Sequence, residues 1–241
     1  MANLTQPLLR TLVELFYPSY CVGCGFAQTP GVFLCDQCVA STPRIAPPFC
    51  HCCSRPFEGA ITGEFCCPNC EDRALAFDCA VCVYQAKGVL RDLIHRFKYG
   101  GQHFLRRLLS EILLEAMRDE RIAAMPVDAI VPVPLHSARR RERGFNQAEA
   151  LARGVARRTG ISVLDCIERR TYTLTQTQFD RSERMRNLRN AFTLRKNSVV
   201  VGKNLVLLDD VLTTGSTLHE CAVVLRKVGA HSVRAMTVAR G

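Results

Sequence analysis

From residue 76 onward, short apolar runs alternate with stretches in which apolar residues recur every three or four positions. The apolar runs predict strands at 76–85, 128–133, 205–208 and 233–238. The periodic stretches predict helices at 88–98, 104–118, 146–158 and 216–228, and Gly160 is placed to cap the third of them. Strands that alternate with helices indicate an α/β domain with a mostly parallel sheet flanked by helices.

The part of the chain before residue 76 lacks this alternation. Residues 4–16 predict a short amphipathic helix, whereas 17–75 are rich in Cys, Pro and Gly and show little hydrophobic periodicity. A small module that is held by metal needs no large core. The sequence therefore predicts a Cys-rich module at 1–75 and an α/β domain at 76–241.

The expected location of the protein decides how its cysteines are interpreted. No apolar run reaches the roughly 18 residues of a membrane-spanning helix, and the first residues do not resemble a secretion signal. We therefore expect a cytoplasmic protein without a membrane span. Of its 14 cysteines, 12 lie between Cys21 and Cys82. In a protein that is not secreted, clustered Cys-x-x-Cys pairs are more typical of zinc ligands than of disulfides.

The Cys-x-x-Cys pairs predict two structural Zn²⁺ sites of four thiolates each, with no open coordination position for catalysis. Neighbouring pairs are expected to share one ion, although interleaved pairing is an alternative. The predicted ligands are Cys21, Cys24, Cys35 and Cys38 for the first site, and Cys50, Cys53, Cys67 and Cys70 for the second.

Other residues near the second predicted set are possible alternatives as zinc ligands. Cys52 and Cys66 adjoin predicted ligands and are alternatives to them, and His51 is a weaker alternative. Cys79 and Cys82 also have Cys-x-x-Cys spacing, but they lie in the first predicted strand among alternating apolar residues. We therefore expect Cys79 and Cys82 to be core residues.

The positive charge of the chain is concentrated in one segment. The net charge is +10, and residues 139–196 hold fourteen Arg and one Lys against six acids. Such a patch attracts polyphosphates or nucleic acid, and Arg forks onto phosphate oxygens more specifically than Lys. The alternative is a solvated helix face. Within the segment, 170–182 predict a mobile loop and 184–191 a short basic helix.

Two acids and a Thr-Thr-Gly-Ser-Thr segment follow the strand predicted at 205–208. Ligands of open α/β sheets bind outside the carboxyl ends of the strands. Carboxylates there suit the hydroxyls of a ribose, directly or through Mg²⁺, while Gly215 and the free amides of the next helix suit a phosphate. A turn capped by Thr214 or Ser216 is the alternative. The predicted binding residues are Asp209, Asp210, Thr213, Thr214, Gly215, Ser216 and Thr217.

A pyrophosphate beside this loop would need donors from elsewhere in the chain. The strand predicted at 128–133 ends in a Pro-containing turn, and an Arg-rich segment then leads to a helix start. His136 in this turn is expected to be a loop residue rather than a catalyst. Capping of the helix by Asn146, with solvated arginines, is the alternative to anion binding. The candidate anion-binding residues are Val133, Pro134, Arg143, Asn146 and Gln147, together with Arg181 and Arg184 of the loop, which could close over bound phosphates.

Taken in order, these segments resemble a known family. Residues 206–217 resemble the phosphoribosyl-pyrophosphate (PRPP) signature of type I phosphoribosyltransferases, and no Gly-Lys-Ser/Thr of a P-loop NTPase is present. Nearly the whole chain resembles the bacterial competence protein F (ComF/GntX) family. That resemblance depends on the Cys-x-x-Cys pairs and on 97–101, 131–136, 143–148, Thr175-Gln176 with Arg184 and Asn187, and 208–217.

The resemblance implies a type I phosphoribosyltransferase-like domain that binds PRPP or ribose-5-phosphate with Mg²⁺. It also implies contact with single-stranded DNA and a role in DNA uptake and natural transformation. Two departures stand out: Ser54 occupies a position where Gly is common after the Cys pair, and Phe179-Asp180 replaces a common Leu-Ser.

Three functions remain open at this stage. The first is a nucleic-acid-binding competence factor with a PRPP-sensing domain, in which Tyr20, Phe49, Phe57 or Phe65 would stack on bases. The second is an active phosphoribosyltransferase that uses an unidentified acceptor. The third is a zinc-finger scaffold for another DNA-uptake protein such as a competence helicase.

Overall fold

The structure, a computed structural model, describes residues 20–29, 31–61, 63–171, 188 and 190–241. The helix predicted at 4–16 and most of the segments predicted at 170–182 and 184–191 lie outside these residues. The strands are β1 Ala80–Gln85, β2 Ala129–Pro132, β3 Ser162–Val163, β4 Ile167–Arg169, β5 Phe192–Leu194, β6 Asn204–Leu212 and β7 Ser232–Arg240. The helices are α1 Asp36–Ala40, α2 Pro68–Glu71, α3 Gly88–Tyr99, α4 Arg106–Ala116, α5 Glu120–Ala123, α6 Ser137–Arg143, α7 Gln147–Thr159 and α8 Ser216–Lys227.

The main sheet has five strands in the order β1–β7–β6–β2–β3, and each neighbouring pair is parallel. Every residue of β7 is buried, as expected for a parallel strand that is covered on both faces. Helices α4 and α7 pack on each other and on the sheet, and α8 packs on β6 and β7. The expected α/β fold with a mostly parallel sheet is confirmed. Strands β4 and β5 form a separate antiparallel pair.

Strand β6 is longer than its apolar run predicts. It pairs with β7 as far as Leu212, so Asp209 and Asp210 lie within the strand and not after it. Its other neighbour, β2, ends where Pro132 pairs with Leu208. The apolar run ends there because, beyond Leu208, one side of β6 borders a cleft.

Helix α6 was not predicted, because the segment has no apolar stripe. None of its residues is buried, and most are Arg or Glu. The helix begins after His136, whose Nδ1 accepts a hydrogen bond from the amide of Ala138 at 3.2 Å, and it ends at Gly144 with φ of 79°. His136 is thus a capping residue; its expected non-catalytic role stays a prediction.

The Cys-rich segment packs directly against the sheet. The amide of Ile45 donates to the carbonyl of Val83, and the amide of Gln85 donates to the carbonyl of Pro43, both at 2.9 Å. Residues 43–45 therefore run antiparallel beside β1. The division of the chain at residue 76 stays a prediction. Among the described residues, no helix combines the length and apolar character that crossing a membrane requires.

Candidate functional site

A cleft of ≈ 510 Å³ opens at the carboxyl ends of β6 and β2. From β6 the chain continues through α8 to β7 on one side, whereas from β2 it continues through α7 to β3 on the other side. The cleft therefore lies where the strand order reverses, which is the usual ligand site of open α/β sheets. It brings together most residues of both predicted halves: Asp209, Asp210, Thr213 and Thr217 from the loop, and Val133, Pro134, Arg143, Asn146 and Gln147 from the other side.

Lys98 at the end of α3 is a site residue that the sequence analysis missed. Its Nζ lies 2.8 Å from Oδ1 of Asp210, and both side chains are largely buried. Burial alone would lower the pKa of Lys98, but the charge and hydrogen bond of Asp210 outweigh it and raise the pKa above its ordinary value. The ammonium group therefore stays charged, and Asp210 is neutralised inside the protein.

Asp209 has a different environment from Asp210, although the two residues are adjacent. Successive side chains of a strand point to opposite faces of the sheet, and Asp210 points towards Lys98 of α3. Burial and the neighbouring charge of Asp210 raise the pKa of Asp209 to about 7, although Lys98 and Arg169 partly oppose that rise. Asp209 is thus a carboxyl group whose charge changes near neutral pH.

The raised pKa of Asp209 should make PRPP binding depend on pH. The Asp209 carboxyl should be mostly protonated at pH 6 and mostly ionised at pH 8. Only the ionised form offers Mg²⁺ a charged ligand and leaves both oxygens free of a proton to accept from ribose hydroxyls. We expect the affinity for PRPP, measured by calorimetry with Mg²⁺ between pH 6 and 8.5, to rise about tenfold.

The matched control is Asp209→Asn, whose profile should show only the titration of the ligand's own phosphates. A profile identical to that of the wild type would contradict the role of Asp209.

The free energy of unfolding should depend on pH in the opposite direction to the affinity for PRPP. Because the pKa is raised from 3.8, the stabilisation by Asp209 is full below about pH 3.8 and is lost as the pH rises through about 7. The Asn variant should therefore gain most in relative stability above pH 7.

The Thr-rich loop has a firm internal structure. Gly215 takes the N-cap of α8 with φ of 78°, a conformation that favours glycine, so neither Thr214 nor Ser216 is the cap. The hydroxyls of Thr214 and Ser216 share a hydrogen bond of 2.9 Å. Nη1 of Arg73 donates to the carbonyl of Thr214 at 2.8 Å. Thr214, Gly215 and Ser216 thus shape the loop behind the cleft, which Thr213 and Thr217 line.

The start of α7 supplies donors on the opposite side of the cleft. Asn146 caps this helix, because its Oδ1 accepts from the amide of Ala148 and its Nδ2 donates to the carbonyl of Val133, both at 3.1 Å. Asn146 is therefore the N-cap of α7, which is the alternative to anion binding that the sequence left open. Arg143 donates to Oε1 of Gln147 at 3.1 Å and to the hydroxyl of Tyr99 at 2.6 Å.

Two buried donors beside that cap have no partner. Nε of Arg143 and Nε2 of Gln147 make no hydrogen bond to any described residue, although Gln147 is only 1% exposed. Buried polar groups are normally satisfied, so orphan donors that line a cleft suggest a ligand oxygen. The other two anion-binding candidates, Arg181 and Arg184, lie outside the described residues.

The predicted ligands form two sets with the predicted membership, and a third group of Cys50, Cys52 and Cys66 overlaps the second set. In each set the four Sγ atoms lie within 4.8 Å of one another. The Sγ atoms of Cys24 and Cys35 are 3.6 Å apart. The Sγ of Cys67 lies 3.7 Å from the Sγ of Cys53 and 3.7 Å from the Sγ of Cys70. Tetrahedral Zn²⁺ with bonds of about 2.3 Å separates its sulfurs by about 3.8 Å. The donor sets therefore fit zinc.

Cys52 and Cys66 fit the same ion less well. Their Sγ atoms are 2.7 Å apart, which is too close for two ligands of one tetrahedral zinc. Cys79 and Cys82 are buried, and burial raises the pKa of their thiols to about 11 and about 12 respectively. Both are therefore neutral core groups, as expected.

Ser54 connects the second Cys set to the sheet. Its backbone has φ of 55°, in the region that favours glycine. Its hydroxyl donates to the carbonyl of Ala80 at 2.9 Å and accepts from the amide of Cys82 at 3.2 Å. These two bonds to β1 explain why a residue with a side chain occupies a turn position that suits glycine.

Two family models match this combination of parts. A phosphoribosyl transferase domain matches residues 142–241, and a double zinc ribbon domain matches residues 12–71. The chain thus belongs to the class of proteins that join zinc ribbons to a phosphoribosyltransferase domain. The zinc ribbon match and the Cys clusters together support structural zinc.

Full-length relatives narrow the class to one family. The chain is 37% identical over 180 residues to competence protein F of Haemophilus influenzae, covering 72% of this chain and 78% of that protein. It is 31% identical over 230 residues to DNA utilization protein YhgH of Escherichia coli, covering 94% and 99%. The protein belongs to the competence protein F family.

Solved structures are more distant from this chain. Glutamine PRPP amidotransferase from B. subtilis is 25% identical and gives a TM-score of 0.37. The match covers 55% of this chain and 26% of that one. A score of this size supports no conclusion about function.

Proposed function

We propose that this protein binds PRPP or ribose-5-phosphate with Mg²⁺ in the cleft, and that it handles single-stranded DNA in the cytoplasm during DNA uptake and natural transformation. The observation that carries the first part is the convergence of carboxylates at the end of β6 with orphan donors at the start of α7. A phosphorylated sugar carries hydroxyls for the former and phosphates for the latter.

The geometry favours separate roles for the two aspartates. Lys98 already neutralises Asp210, whereas Asp209 has no ion pair of that kind among the described residues and titrates near neutral pH. Asp209 and the hydroxyls of Thr213 and Thr217 are the oxygen donors that Mg²⁺ and ribose hydroxyls prefer. The free amides at the start of α8 and its helix dipole would then receive the 5-phosphate.

The donors on the other side of the cleft suit a pyrophosphate. Nε of Arg143, the last residue of α6, and Nε2 of Gln147, the first residue of α7, are buried and unpartnered among the described residues. Gln147 lies at the N-terminal end of α7, where the helix dipole favours an anion, and Arg143 donates to its side chain. Asn146 fixes this end to Val133 through its side-chain amide. It acts by positioning the donors and not by binding the anion.

The proposed DNA-handling role is supported by the family and by charge. The relatives are named for competence and DNA utilization, and residues 139–196 carry the positive excess of the chain. Arginines of this kind would neutralise phosphates of a nucleic acid strand.

The test of the cleft is incubation of the full-length protein with labelled PRPP and Mg²⁺, with and without candidate acceptors such as bases and single-stranded DNA. We expect saturable PRPP binding. Binding without pyrophosphate release would support a PRPP-sensing role, and release that depends on an acceptor would identify a transferase. Absence of binding up to millimolar PRPP, in protein with full zinc content, would refute the assignment.

A further inference from the structure

A second cleft lies outside the PRPP site. It encloses ≈ 640 Å³ between α4, α7 and the first Cys ribbon, and it shares no lining residue with the PRPP cleft. Two phenylalanines and four arginines give it its chemical character: Phe33, Phe104, Arg106, Arg107, Arg157 and Arg158. We call it the Arg-Phe cleft.

The aromatic rings of the Arg-Phe cleft are open to a ligand. Phe104 is 53% exposed, and Phe33 is partly exposed with the guanidinium of Arg107 5.8 Å from its ring centre. Exposed aromatic faces beside arginines are the elements on which unpaired bases stack. A surface that only attracts anions would have no need of them.

Two of the four arginines in the cleft are not explained by the helix that carries them. Arg157 and Arg158 lie in the last turn of α7, where the helix dipole favours positive charge. Arg106 and Arg107 lie in the first turn of α4, where the dipole disfavours it. Among the residues that line the cleft, Glu111 is the acid, and it pairs with Arg158 at 2.8 Å. The cleft therefore keeps a clear positive excess.

The floor of the cleft is closely packed. Ser110 is 5% exposed, lines the cleft, and has a hydroxyl with no hydrogen-bond partner among the described residues. Gly154 faces it so closely that a Cβ there would lie 2.1 Å from the Ser110 Oγ. The close approach of α7 to α4 at Gly154 thus buries this hydroxyl in the floor of the cleft.

We infer that the Arg-Phe cleft is the surface that binds single-stranded nucleic acid. Its arginines would contact phosphates, and its phenylalanines would stack on bases. This inference depends on the proposed DNA-handling function and names the place where the strand binds. The cleft lies at the C-terminal end of α7 and the PRPP site at its N-terminal end, about 16 Å apart along the helix.

The experiment measures binding of a labelled 20-nucleotide oligo(dT) to the full-length protein by anisotropy at several salt concentrations. The variant Phe33→Ala/Phe104→Ala should bind about tenfold more weakly with an unchanged salt slope, because it loses stacking and no charge. The variant Arg106→Gln/Arg107→Gln should lower the log–log salt slope by about 1.4, as expected for two lost phosphate contacts on a single strand.

Two matched variants serve as controls. Phe57→Ala removes a ring that is 43% exposed but packs edge-on against Phe65 in the second ribbon, and it should bind like the wild type. Arg140→Gln/Arg141→Gln removes charge from α6, which lies in the Arg-rich segment 139–196, and keeps Arg139, which lines the PRPP cleft. All variants should keep the wild-type melting temperature and PRPP affinity.

The outcomes separate the inference from the function on which it depends. Loss in both cleft variants with normal binding by Phe57→Ala supports the Arg-Phe cleft. Normal binding by both cleft variants, with or without loss in the α6 variant, overturns it while leaving DNA handling intact. Absence of oligo(dT) binding by the wild type overturns both. Equal affinity for a duplex, with no effect of the phenylalanines, reduces the surface to a phosphate-binding patch and also overturns the inference.

Discussion

Exchanging Asp209 and Asp210 together for Asn is expected to weaken PRPP binding about a hundredfold or more. Hydrogen bonds to charged groups contribute about 1.5–3 kcal/mol each, and the double change removes both carboxylates from the end of β6. Calorimetry with PRPP and Mg²⁺ at pH 8 measures the effect. Near-wild-type affinity would mean that the ribose does not bind at this strand end.

The control for this experiment must account for Lys98. Breaking a buried ion pair from one side costs about 3–5 kcal/mol, because the remaining charge is left unpaired. Asp210→Asn should therefore destabilise the protein, whereas Asp209→Asn should stabilise it at pH 8. Adding Lys98→Met to the double variant removes the stranded ammonium and should restore the melting temperature without restoring PRPP binding. Binding loss in the restored variant then cannot be attributed to unfolding.

Replacing Cys67 by Ser is expected to remove one zinc equivalent and to destabilise the whole phosphoribosyltransferase domain. The four thiols of the second set belong to the same core as the sheet, whereas buried Cys21 and Cys38 of the first set lie outside that core. Structural zinc contributes free energy directly to folding. We expect Cys67→Ser to lower the unfolding free energy by more than about 3 kcal/mol, and Cys24→Ser to affect mainly the first ribbon.

Metal analysis and calorimetric unfolding measure both effects, and Cys52→Ser is the matched control. Cys52 is next to the predicted ligand Cys53 in sequence, but its Sγ is 2.7 Å from the Sγ of Cys66, so we expect its loss to leave the zinc content unchanged. Should Cys52→Ser lose a zinc ion, the second site would have to be reassigned to include Cys52 and Cys66.

Periodicity predicted the elements that position the cleft. Helix α8 was expected at 216–228 and spans Ser216–Lys227, and α7 was expected at 146–158 and spans Gln147–Thr159. Both have a clear apolar stripe and a glycine near their end. The two halves of the cleft were also identified, because both follow predicted strands and such strand ends share one edge of a parallel sheet.

The sequence did not predict the role of Lys98 or the full length of β6, because both depend on contacts between residues that are distant in the chain. Lys98 ends a helix whose pattern shows only the core positions Leu90, Leu93, Ile94 and Phe97, and its partner Asp210 lies in the last strand but one. Strand β6 extends beyond its apolar run because β7 pairs with it there. Helix α6 has good helix formers between a capping His136 and Gly144, and these caps were the local signal for a helix without a buried face.

The Arg-Phe cleft could not be predicted from the sequence either. Composition placed the positive charge in 139–196, but Arg106 and Arg107 come from outside that range and Phe33 from the Cys-rich segment. Tertiary packing brings the three segments together, and nothing in their separate sequences indicates it.

The pairing of residues 43–45 with β1 limits how the two parts of this protein can change in evolution. Strand β1 is one of the two outermost strands of the main sheet, and an uncovered outer strand can pair with other chains and cause aggregation. The Cys-rich segment occupies those backbone groups. Zinc ribbon and phosphoribosyltransferase domain are therefore not freely exchangeable modules: a lineage that lost the ribbon would also have to evolve a new cover for β1.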